Sequence, residues 1–112
     1  AAVMTQRPEL FGAALPSVGV MDMLRFDKFT VGAGWMRDYG NPDSKIDFQN
    51  MSKYSPYHNV KNATQYPAVL FLTGKHDPRV DPFHSRKMTA RLKASGTKQP
   101  VLLRTADTIN QA

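Results

Sequence analysis

Hydrophobic positions are patterned most clearly in the second half of the chain. Ala68-Val-Leu-Phe-Leu-Thr73 is a short continuous apolar run, the mark of a strand covered on both faces. Gly74–Val80 follows as a loop. Asp81-Pro82 then opens a helix, with Asp81 as N-cap and Pro82 at the first helical position. His84, Met88 and Leu92 stand four residues apart and form its inner stripe, and Gly96 is a natural stop. Pro100-Val-Leu-Leu-Arg-Thr105 is a further apolar run. Residues 68–105 therefore predict strand, loop, helix, strand: a right-handed βαβ unit with parallel strands.

The first half is less regular. Residues 1–7 predict the end of a helix, stopped near Pro8. Residues 12–20 are small and apolar enough for a buried strand, although Pro16 is unsuited to a central ladder position. Met21, Leu24, Phe26 and Phe29 alternate with charges and suggest a short helix. Residues 30–66, rich in Gly, Asn, Asp, Tyr and Ser, read as a long irregular region, and long loops are often functional.

The 112 residues fit a single domain. With no Cys, disulfides, iron–sulfur clusters, Cys-based zinc sites and a Cys nucleophile are excluded. No window approaches the roughly 20 apolar residues that span a bilayer, and the N-terminus lacks signal-peptide character. A cytoplasmic protein with no membrane association is the expectation. The net charge of +6 raises the question of nucleic acid, but it is local. Residues 75–104 hold eight of the 15 cations and two of the nine anions, which accounts for all of it. A solvated outer helix face explains this better than a phosphate-binding surface, since no RNA-binding aromatic signature or zinc-finger spacing accompanies it.

The candidate chemistry lies in Gly74-Lys75-His76-Asp77-Pro78-Arg79-Val80. An acid at the carboxyl end of a strand, just before a helix, can orient a catalytic His; Asp in a turn also serves as a local hydrogen-bonding device. His58 and His84 have no carboxylate at metal-ligand spacing, so no metal is expected, and no cofactor. Trp35 and Tyr39, four apart, share a face in a helical turn and either line a pocket or cover the core.

The segments QRPELFG (6–12), VGVMDMLRFDKFTVGAGWMRDYG (18–40), KYSPYHNV (53–60) and QYPAVLFLTGKHDPRVDPFHS (65–85) closely resemble the prolyl oligopeptidase (prolyl endopeptidase) family, in its C-terminal α/β-hydrolase domain. The resemblance implies a partial α/β-hydrolase fold: three α/β/α layers around a short, mostly parallel sheet of about three strands. It makes Asp77 the acid of a Ser–His–Asp triad and Arg79 the cation that holds a substrate carbonyl. Trp35 would stack on the substrate proline, with Tyr39, Val20 and Val80 lining the same pocket. A flat indole suits a pyrrolidine ring, and a forked guanidinium suits a carbonyl.

The family's Gly-x-Ser-x-Gly-Gly nucleophile elbow is absent from this sequence, and in register Gln111 falls in the slot of the catalytic His. The resemblance thus implies a proline pocket and a triad Asp without a complete triad, inactive alone, with proline-containing peptides as possible ligands. The alternative is a stand-alone binding or oligomerisation module on a hydrolase-derived scaffold. A bare apolar strand edge invites association, so a homo-oligomer through that edge is expected.

Overall fold

The computed structural model describes residues 1–107. Seven elements order as α1 (Ala2–Gln6), β1 (Ala13–Ala14), α2 (Met36–Tyr39), α3 (Lys45–Ser52), β2 (Ala68–Gly74), α4 (Phe83–Ala94) and β3 (Val101–Ala106). Single 3-10 turns stand at Pro8–Leu10, Phe26–Lys28, Gly32–Trp35 and Tyr57–Asn59. The three strands form one parallel sheet in the order β1-β2-β3.

The βαβ unit forms where the apolar runs place it. β2 and β3 pair over six positions, from Val69 opposite Val101 to Gly74 opposite Ala106. Val69, Phe71 and Thr73 alternate on the buried face of β2. Met88 and Leu92 of α4 join Val69, Phe71 and Val101 in the main core, with Met4, Met21, Val60 and Tyr66. His84 is buried in the same stripe. The helix begins at Phe83, slightly later than its sequence suggests, yet the capping chemistry is present: Asp81 Oδ1 accepts the Phe83 N–H at 2.8 Å. Gly96 ends the helix with φ +87°, a left-handed conformation that favours glycine.

Where Leu70 and Leu102 alternate with the buried Val69 and Val101, they border an apolar hollow of about 170 Å³ with Ala13, Ala14 and Leu15. Leu15 and Leu102 are 65% and 57% exposed. The apolar run of β2 led us to expect cover on both faces, but among the described residues this side is partly open.

Three further expectations are corrected. The first strand is two residues long rather than spanning 12–20. Pro16 has no N–H for the ladder, so it contributes only its carbonyl, which accepts the Leu72 N–H at 2.9 Å. Pairing resumes as a single bridge at Ser17, with the Val18 N–H donating to the Leu72 carbonyl at 2.8 Å. The segment 21–29 is not a helix apart from the 3-10 turn Phe26–Lys28; the N–H groups of Met21, Met23 and Leu24 go instead to the side chains of His84, Ser55 and Asp22. The long region 30–66 contains α2 and α3. α3 was hidden by its polar surface: Met51 is its only buried residue, while Ile46 and Phe48 are exposed.

No helix among the described residues is long and apolar enough to cross a membrane.

Candidate active site

Asp77 stands three residues past Gly74, the carboxyl end of β2, in the loop that leads to α4. Its side chain is buried, at 4% exposure. Oδ1 accepts the backbone N–H groups of Arg79 and Val80, at 2.9 and 3.1 Å. Oδ2 is also buried, and no donor among the described residues reaches it. A buried carboxylate oxygen without a donor is costly unless something outside these residues satisfies it. The carboxylate is thus fixed by its own loop and has one acceptor site unfilled. His76, its neighbour in sequence, is exposed.

Arg79 is oriented through its backbone. Asp77 takes its N–H, and the Thr30 hydroxyl donates to its carbonyl. Thr30 lies at φ +52°, and the Phe29 ring beside it stacks on Phe83 at the start of α4, with centroids 3.9 Å apart. The turn 29–30 therefore ties the loop of Arg79 to α4.

Trp35 and Tyr39 lean on one buried ring. Phe26 has no exposed surface; it lies nearly parallel to Trp35 at 6.4 Å and edge-on to Tyr39 at 5.5 Å. The two readings of this aromatic pair both hold: each ring rests against core and also faces a cavity. Gly32 permits the arrangement, because a Cβ there would stand 1.9 Å from the Phe26 carbonyl oxygen.

That cavity, about 530 Å³, is lined by Val18, Val20, Met23, Trp35, Asp38, Tyr39, Arg79 and Val80. All five residues assigned to the proline pocket from the sequence border this one cleft, and Asp77 holds the Arg79–Val80 stretch of its rim. Val18, Met23 and Asp38 were missed. Val18 is a β-branched residue at φ +48°, an uncommon conformation of the kind that concentrates at functional walls. Its neighbours Ser17 and Gly19 suggest nothing of this in sequence. Asp38 adjoins Tyr39, and its position in the cleft follows from α2 being helical. The cleft is apolar along Val18, Val20, Met23 and Val80, with one cation and one carboxylate at its edge. Such a site suits a compact apolar group carrying a polar backbone.

Among the described residues, no three of His, Asp and Glu converge to hold a metal ion. The basic face of α4 is partly committed inward. Lys87 is bonded to the fully buried Asp22 and lies 4.1 Å from the Tyr57 ring, and Arg91 donates to the Val60 carbonyl and the Asn62 side chain. Asn110, Gln111 and Ala112 lie outside the described residues, so the slot of the catalytic His is not placed.

The family model described as prolyl oligopeptidase family matches residues 1–108. The chain belongs to the prolyl oligopeptidase family. A prolyl endopeptidase of Elizabethkingia miricola is 53% identical over 105 residues, covering 92% of this chain and 15% of that protein. One from Dictyostelium discoideum is 46% identical over 107 residues, covering 92% of this chain and 14% of its own. A solved structure from a study of two prolyl endopeptidases superposes with TM-score 0.91 at 50% identity, over 95% of this chain and 16% of that one. Oligopeptidase B from Leishmania major superposes at 0.90 with 28% identity, over 97% and 16%. The chain thus spans about 15% of the curated relatives it matches. Its fold is part of the α/β-hydrolase domain of this serine peptidase family.

Proposed function

We propose that this chain carries the acid and the proline pocket of a serine peptidase site that acts on short peptides after proline, and that alone it binds such peptides without cleaving them. The observation that carries this reading is Asp77. One carboxylate oxygen is locked by two loop amides, and the other is buried without a donor among the described residues. That is the geometry of a triad acid awaiting the N–H of a His. Beside it, Trp35 offers a flat face for a pyrrolidine ring, Val20, Tyr39 and Val80 enclose it, and the Arg79 guanidinium suits the adjacent carbonyl. No Gly-x-Ser-x-Gly-Gly elbow occurs in the sequence, and without nucleophile and base there is no acyl-enzyme route. The test is hydrolysis of an N-blocked Gly-Pro anilide by the purified chain. No release above the buffer rate is expected, and turnover abolished by a serine-directed phosphonate would overturn the reading.

A second reading concerns assembly: the chain forms a homo-oligomer through its open sheet. The exposure of Leu15 and Leu102 around an apolar hollow favours it, as does the outer side of β1, which has no strand neighbour among the described residues. Light scattering at high concentration is expected to give a multiple of 12.5 kDa; a clean monomer would refute it.

A further inference from the structure

The cleft wall that carries Val20 and Met23 belongs to a segment with neither helix nor ladder to hold it. Its backbone groups still need partners, and side chains from two distant parts of the chain supply most of them. The N–H groups of Met21 and Asp22 both point at Nδ1 of His84, at 3.2 and 3.1 Å. The Met23 N–H donates to Oγ of Ser55 at 2.9 Å, and the Leu24 N–H to Oδ1 of Asp22 at 3.0 Å. The Met21 carbonyl accepts the Tyr57 N–H at 2.9 Å. Four consecutive amides are thus satisfied by three side chains. His84 and Ser55 are buried, at 1% and 0% exposure, more than 30 residues away in sequence.

We propose that His84 and Ser55 are positioning residues of the proline pocket: they hold the Val20–Met23 wall against Trp35 and Tyr39, and so set the width of the cleft. This rests on reading the cleft as a prolyl site. For Nδ1 to accept two N–H groups, the ring must be neutral with its proton on Nε2. Burial pushes His84 down to about 4, which keeps it neutral near pH 7. The charged groups facing it are Asp22, Asp81 and Lys87. Ser55 is in turn fixed by its second contact, to Nδ1 of His58 at 2.9 Å. Neither residue lines the cleft, so each acts only through the backbone it holds.

The test compares the full chain with His84→Asn, His84→Leu and Ser55→Ala. Asn can present an acceptor where Nδ1 stands; Leu cannot. Two quantities are measured at pH 7.5: amide hydrogen exchange by NMR, with Phe71 in β2 as internal reference, and Trp35 fluorescence during titration with an N-acetyl-Gly-Pro amide. In His84→Leu, exchange at Met21 and Asp22 is expected to quicken about tenfold while Phe71 is unchanged. Peptide binding is expected to weaken by about tenfold or more. His84→Asn is expected to restore both. Unchanged exchange at Met21 and Asp22 in His84→Leu, or equal damage by Asn and Leu, would overturn the proposal. If His84→Leu does not fold, Ser55→Ala decides: it must speed exchange at Met23 and weaken binding, and no change in either overturns the proposal. If no form responds to the peptide while the exchange pattern is as expected, the prolyl reading fails and the positioning role stands.

Discussion

Acid should destabilise this protein through His84. In the folded chain the ring is buried and held neutral, its proton affinity pushed from the ordinary 6.5 to about 4 by loss of hydration. The unfolded chain therefore binds one more proton than the folded one between these values. Stability is fully present above about pH 6.5 and is lost as pH falls toward 4. The drop corresponds to about 3 kcal/mol once complete, and about 2 kcal/mol by pH 5. His58 acts in the same direction, since burial also lowers its proton affinity. Urea unfolding followed by circular dichroism at pH 7.5, 6, 5 and 4.5 measures it. The wild type should lose about 2 kcal/mol between pH 7.5 and 5, and His84→Asn, which cannot be protonated there, should lose markedly less. Parallel profiles for the two proteins would refute the reasoning, because the acid sensitivity would then arise elsewhere.

Other substitutions probe the supports of the cleft. Lys87→Met removes the partner of a fully buried Asp22 and should cost about 3–5 kcal/mol in urea unfolding, with the added change Asp22→Asn recovering part of it. Gly32→Ala would set a methyl 1.9 Å from the Phe26 carbonyl; it should cost at least about 1–3 kcal/mol and shift Trp35 emission, because the ring beneath Trp35 must move. Phe71→Ala, at the centre of the core, should cost about 3–5 kcal/mol without changing which peptides bind.

The parts legible in the sequence are those where one periodicity dominates. β2, α4 and β3 follow from two apolar runs and a stripe four residues apart, and their parallel pairing follows from the helix between them. Recognition of the site depended on the family resemblance, since the loop 74–80 and the Trp35–Tyr39 spacing alone left its role open; the fold brings the two to one cleft from residues about forty apart. Segments whose backbone is satisfied by side chains escaped. Nothing in residues 21–24 announces that His84 and Ser55 accept their N–H groups, since that partnership spans 32 to 63 residues. The spacing of Met21, Leu24 and Phe26 suggested a helix, but only the 3-10 turn Phe26–Lys28 forms there. α3 escaped for the opposite reason: it buries a single side chain and leaves no hydrophobic stripe. The strand at 12–20 shrank because one proline withholds one N–H.

The central claim is that Trp35, Arg79 and the valines around them form a pocket for proline. Titration of the chain with N-acetyl-Gly-Pro amide, against the Gly-Ala analogue, while recording emission from its one tryptophan tests it most directly. The proline peptide should shift the emission and saturate at about 1–10 mM, with Arg79→Ala weakening it and the alanine peptide giving no response. An equal response to both peptides, or none to either, would contradict the account.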